Sequence, residues 1–197
     1  MSDDDDDARL MQAVADGDKA AFATLFDRHH QAVVRFAYRF VGTTARAEEL
    51  AQDIFVKLYK SAKGYRPTAK FKTYLFRVAT NHCLNELRRG DDRVETSGTD
   101  NTENAVESRD GGAERPDQSL EGRELERAVG AAMAKMSDRE RLAFSMCRFE
   151  GLAYKEIADA LQASEAAVKS LIHRATLQVM KQVEALRAGL LATGSQV

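Results

Sequence analysis

The chain has 197 residues, enough for one ordinary domain or two small ones with modest cores. Two prolines, no tryptophan, 44% hydrophobic and 30% charged residues describe a helical chain, and no apolar run approaches the roughly 18–20 residues that cross a bilayer. Cys83 and Cys147 are too few and too far apart for a disulfide framework, and Met1-Ser2 followed by five aspartates is the reverse of a basic secretory leader, so a cytoplasmic protein is expected.

The net charge of −2 conceals an uneven distribution. Outside the Asp3–Asp7 run, residues 1–90 carry 15 basic against 7 acidic side chains, whereas residues 91–120 carry 3 against 9. Residues 121–197 are nearly balanced, 11 against 10. A basic body flanked by acidic segments attracts phosphate locally whatever the total charge.

In chain order, residues 1–7 read as an acidic disordered tail that could compete with DNA for the basic face. Phe22, Leu25, Phe26, His29, Val33, Phe36, Ala37 and Phe40 recur at three- and four-residue spacing, which predicts a long amphipathic helix capped by Asp18 and stopped by Gly42. A second helix is predicted from Thr44 to about Ala62 on Leu50, Ile54, Phe55 and Leu58. Gly64-Tyr65-Arg66-Pro67 breaks the chain, and a third helix follows from about Ala69 to Arg89. Residues 91–119 are polar and acidic and read as a flexible linker. Beyond it, Leu125, Val129, Met133 and Met136 mark a helix, and Ser137-Asp138-Arg139-Glu140 is a capping box opening the next. A short helix at Tyr154–Leu161, the Gln162-Ala163 turn and a long helix from Ser164 form a helix-turn-helix pattern. The expected fold is all-α, with small domains at 8–90 and 120–190.

Two blocks carry a resemblance. Ala47-Glu48-Glu49-Leu50-Ala51-Gln52-Asp53-Ile54-Phe55-Val56-Lys57-Leu58-Tyr59, with Phe71-Lys72-Thr73-Tyr74-Leu75-Phe76-Arg77-Val78-Ala79-Thr80-Asn81 and Leu87-Arg88-Arg89, resembles the sigma-two domain of extracytoplasmic-function (group 4) sigma factors. Glu150-Gly151-Leu152-Ala153-Tyr154-Lys155-Glu156-Ile157-Ala158, with Val168-Lys169-Ser170 and His173-Arg174-Ala175, resembles their sigma-four domain. The resemblance implies a non-enzymatic subunit that binds core RNA polymerase and directs it to promoters.

By that resemblance, Glu48, Glu49, Leu50, Gln52, Asp53, Phe55 and Lys57 dock on the beta-prime clamp helices, and the beta flap is a second contact. The minus-ten element falls to Lys63, Tyr65, Arg66, Lys70, Phe71, Lys72, Tyr74, Arg77, Asn81, Arg88 and Arg89. These supply cations for the backbone and aromatic faces for unstacked bases, and Asn81 supplies an amide for an extruded base. Phe71 and Phe76 compete for a plain core role. The minus-thirty-five element falls to Ser164, Glu165, Ala166, Lys169, Ser170, His173 and Arg174 at the start of the last helix.

Five positions depart from the family pattern: Tyr74 for Trp, Ala153 for Ser, Ala166-Ala167 for Gly-Thr, and Leu171 for Arg. They imply a weaker cap, a lost hydroxyl and a lost cation toward DNA. The histidines and cysteines lack metal-ligand spacing, so neither metal nor other cofactor is expected, and no small-molecule substrate. An anti-sigma factor is the expected regulator. The rival readings are a sigma-like decoy for such a factor and a stand-alone helix-turn-helix regulator.

Overall fold

A computed structural model describes residues 3–96 and 120–194, and the side chains within 5–86 and 122–188. The described residues form eight α-helices and one 3-10 turn, with no strand among them. The helices are α1 (Asp3–Ala15), α2 (Lys19–Val41), α3 (Thr44–Ser61), α4 (Phe71–Thr96), α5 (Leu120–Ala134), α6 (Asp138–Arg148), α7 (Tyr154–Leu161) and α8 (Glu165–Gly194). A 3-10 turn at Ala62–Gly64 leads from α3 toward α4.

The boundaries follow local chemistry. Asp18 Oδ1 accepts from the Ala20 and Ala21 N–H groups at 2.8 and 3.1 Å and starts α2. Gly42 ends it with φ +73°, a left-handed turn that glycine enters without the Cβ penalty, and its N–H donates to Tyr38 O. The short Gly42-Thr43 connection folds α3 back on α2. Ser137 and Glu140 form the reciprocal capping box that starts α6. Ala153 has no side-chain acceptor to start α7, yet the other half of a capping box survives: its N–H donates to Glu156 Oε2 at 2.7 Å.

Two expectations at the margins are corrected. Asp3–Asp7 is no tail but the start of α1. Asp7 is buried and ties α1 to α2, meeting Arg28 Nη1 at 2.8 Å and His29 Nε2 at 2.7 Å. The expected linker also begins later, because α4 continues through residues 91–96. The rest of that segment, 97–119, lies outside the described residues.

Phe36, Phe71, Phe76, Leu25, Ile54 and Leu58 are among the largest fully buried side chains around which α1 to α4 pack. Burying each contributes about 1.5–3 kcal/mol relative to exposure. The same contiguous apolar cluster continues into Leu142, Met146, Ile157, Leu161 and Ile172 of the C-terminal helices. A smaller cluster of Met133, Met136, Phe144 and Ala175 joins α5, α6 and α8. Arg141 stitches the end of α5 by donating to Met133 O and Met136 O at 3.1 and 3.3 Å.

The N-terminal and C-terminal helices touch where α4 meets α6 and α7, and where α2 meets α6. Lys72 Nζ donates to Glu150 O at 2.6 Å and lies 3.6 Å from its Oε2. Thr73 Oγ1 donates to Glu156 Oε1 at 2.8 Å, and Lys70 stands 3.9 Å from the same carboxylate. Arg39 stacks on Phe149 at 3.8 Å and pairs with Glu150 at 3.5 Å.

Candidate nucleic-acid and polymerase interface

Helix α3 is amphipathic, with Ala47, Leu50, Ala51, Ile54, Phe55 and Leu58 buried against α2 and α4. Leu50 and Phe55 therefore do not belong to an accessible docking surface; they are core side chains, 3% and 2% exposed. Phe55 packs between Phe22 and Phe26, its ring 6.4 and 4.8 Å from theirs. Glu49, Gln52, Asp53 and Lys57 do share the exposed side, and Glu48 is partly exposed beside His30 at 3.1 Å. Val56, 49% exposed in the middle of this polar stripe, is an apolar side chain that the helical pattern did not single out. Its spacing from Leu50 and Phe55 could have placed it outside the buried stripe.

Helix α4 anchors the second site. Lys63, Arg66 and Lys70 are exposed around the loop before it, and Arg77 and Asn81 are exposed along it. Arg66 is folded back on the loop, its Nη1 donating to Tyr65 O at 2.9 Å. Tyr74 is half-buried: its hydroxyl meets Ser61 Oγ at 2.7 Å, its ring lies 4.9 Å from that of Tyr65, and Arg77 covers it at 5.3 Å. Phe71 and Tyr65 are corrected in the same way as Leu50. Phe71 is fully buried against His29 and Tyr65, and Tyr65 is 5% exposed, so neither ring offers a face to a base in this arrangement. Lys72 is turned toward Glu150, as described above. Arg88 and Arg89 lie in α4, and their side chains are outside the described residues.

The third site opens α8. Ser164 Oγ accepts from Ala167 N–H at 3.2 Å, which caps the helix. Glu165, Ala166, Lys169, Ser170 and His173 are all exposed on one side of its first three turns. Arg174 is exposed too, but its Nε donates to Glu140 Oε1 at 2.6 Å. Burial alone would raise the Glu140 carboxyl; hydrogen bonds from Arg174 and Ser137 outweigh it and hold the group below its ordinary value. Arg148 and Tyr154 join Lys169, Ile172, His173 and Thr176 around a surface depression beside α8, a basic and aromatic lining that the helix pattern missed because it comes from three helices. Leu171 is buried, so it cannot stand in for a DNA-facing cation; it belongs to the apolar side of α8.

Comparison with known proteins bears on all three surfaces. Residues 25–93 match the family model for sigma-70 region 2, and residues 126–178 match that for sigma-70 region 4. The chain is similar to the RNA polymerase sigma-H factor of Pseudomonas aeruginosa, 29% identical over 94% of this chain and 98% of that protein. It is also similar to the ECF RNA polymerase sigma factor SigE of Mycolicibacterium smegmatis, 32% identical over 84% of this chain and 63% of that one. The chain belongs to the extracytoplasmic-function sigma factors.

In this sigma factor, the region 2 match spans most of α2, all of α3 and most of α4, and the region 4 match runs from α5 into α8. The fold agrees with that of the sigma factor RpoE solved with the anti-sigma factor NepR from Bartonella quintana, with a TM-score of 0.66 over 83% of this chain and 96% of that one at 20% identity. Among the described residues no three metal-ligating side chains gather, and no helix is long and apolar enough to cross a membrane. Burial pushes the Cys83 thiol up to about 12, which keeps it protonated and unreactive at neutral pH.

Proposed function

We propose that this sigma factor uses residues 8–90 to dock on core polymerase and open the minus-ten element, and residues 120–190 to read the minus-thirty-five element. The docking surface is the outer stripe of α3: Glu48, Glu49, Gln52, Asp53 and Lys57, with Val56 at its apolar centre. The observation that carries this assignment is that stripe, a continuous exposed face on a helix whose other side is fully committed to the core. Interfaces of this kind combine an apolar centre with a charged rim that sets register and partner choice.

Minus-ten recognition is assigned to Lys63, Arg66, Lys70, Lys72, Tyr74, Arg77, Asn81, Arg88 and Arg89, with Asn81 offering both a donor and an acceptor to an extruded base. Minus-thirty-five recognition is assigned to Ser164, Glu165, Ala166, Lys169, Ser170, His173 and Arg174. Exposed N–H groups of the α8 first turn and Lys169 suit phosphate, and Glu165 suits cytosine. The protein acts in the cytoplasm as a specificity subunit rather than a catalyst, and an anti-sigma factor controls it.

Titration of purified core polymerase with the full chain tests the docking surface. Glu49→Lys is expected to lower affinity at least tenfold, on the order of 1.4 kcal/mol, without changing thermal stability. Unchanged affinity of that variant would remove α3 from the interface.

A further inference from the structure

The polar stripe of α3 is not self-supporting. Two side chains one turn apart on α4 stand behind it. Glu86 accepts from Arg46 at 2.6 Å, and Arg46 also reaches Glu49 at 2.9 Å. His82 Nδ1 bonds the Lys57 ammonium, while its Nε2 stands 3.6 Å from Asp53 Oδ2. Two α3 residues, Arg46 and Lys57, are thus bonded directly by the helix beneath, Glu49 follows through Arg46, and Asp53 stands within ion-pair distance of His82.

His82 is the costly member of this arrangement. It is 4% exposed, next to the buried Cys83 and one turn from the buried Ala79, where an apolar side chain would satisfy packing. Its Nε2 is buried and has no hydrogen-bond partner within ordinary reach among the described residues. A buried polar group without a full set of partners costs stability. The ring is also chemically constrained: an ammonium only donates, so Nδ1 must be the bare acceptor and the proton must sit on Nε2, toward Asp53.

We propose that His82 is a positioning residue for core-polymerase docking, fixing where Lys57 and Asp53 stand on the α3 face. The inference rests on the docking assignment above. The charged groups facing the imidazole are Lys57 and Asp53 from α3 and Glu86 from α4. Protonation converts Nδ1 to a donor, releases Lys57 and draws Asp53 inward, so the face loses its charge pattern and core affinity falls on acidification.

The test is titration of core polymerase at constant ionic strength from pH 7.5 to pH 5.5 with wild type, His82→Gln and His82→Leu. Glutamine can accept from Lys57 and donate toward Asp53 but does not titrate. It is expected to stay within about twofold of wild type at pH 7.5 and to lack about a fivefold loss that wild type shows on acidification. Leucine packs but cannot hold Lys57, and is expected to lose about tenfold at pH 7.5. If leucine compromises folding, the glutamine pH profile decides alone. A glutamine variant whose pH profile matches wild type overturns the positioning role. Failure of wild type to bind core at any pH overturns the docking assignment, and the positioning role with it.

Discussion

Glu156 shows how much a single side chain carries in this molecule. One oxygen takes the Ala153 N–H that starts α7, while the other takes the Thr73 hydroxyl and faces Lys70 across to α4. The missing acceptor at position 153 is a gap that a substitution can fill: Ala153→Ser should raise stability by about 0.5–1 kcal/mol, read from the urea midpoint. The reverse experiment at the intact box, Ser137→Ala, should lower it by about 1 kcal/mol. His82 adds a pH term. Burial first, and Lys57 second, hold its imidazole below the ordinary value of 6.5. The unfolded chain therefore takes up a proton near that pH that the folded chain takes up only at lower pH, and stability declines as pH falls below it. Urea unfolding at pH 7.5 and 5.5 should show that decline in wild type and a smaller one in His82→Gln.

At the scale of elements, α3 separates core from surface residue by residue. Ile54→Ala should cost about 2–5 kcal/mol, because it removes a fully buried side chain from a packed core. Val56→Asp, two residues on, should leave the urea midpoint nearly unchanged while weakening core binding. The sequence made much of this legible. Asp18, Gly42 and the Ser137–Glu140 box announce helix boundaries through chemistry confined to a few neighbouring residues. The helix-turn-helix start of α8 was readable for the same reason. What escaped depends on distant partners. Asp7 is buried because Arg28 and His29 come from another helix, and nothing in five consecutive aspartates signals that. Phe71 and Tyr65 carry the right ring for stacking on bases, yet the packing of α1, α2 and α4 takes them inward.

Across the whole molecule, the contact of α7 with α4 sets a constraint on DNA binding. Elements centred near minus ten and minus thirty-five lie about 25 base pairs apart, roughly 85 Å along a duplex. Here α7, which is joined to α8 by the Gln162–Ser164 turn, sits directly on α4, so under the proposed assignment of α4 and α8 one promoter cannot engage both surfaces until they part. In the closed arrangement Glu150 and Glu156 occupy Lys72 and face Lys70, as phosphates would. Glu150→Gln removes the charge that Lys72 and Arg39 meet, and should raise the affinity of the free protein for a fluorescent single-stranded oligonucleotide about threefold or more at low salt. Equal binding by wild type and variant would show that this contact does not compete with nucleic acid.

Transcription by purified core polymerase from a pool of promoter fragments, read by sequencing transcript 5′ ends, tests the central claim most directly. With the full chain added, discrete start sites should appear that are absent with core alone, each preceded by a shared pair of elements at fixed spacing. Glu49→Lys should lose them at matched concentration. Core polymerase that gains no start sites would contradict the account: binding to core without initiation would leave a decoy, and sequence-specific DNA binding without core would leave a stand-alone regulator.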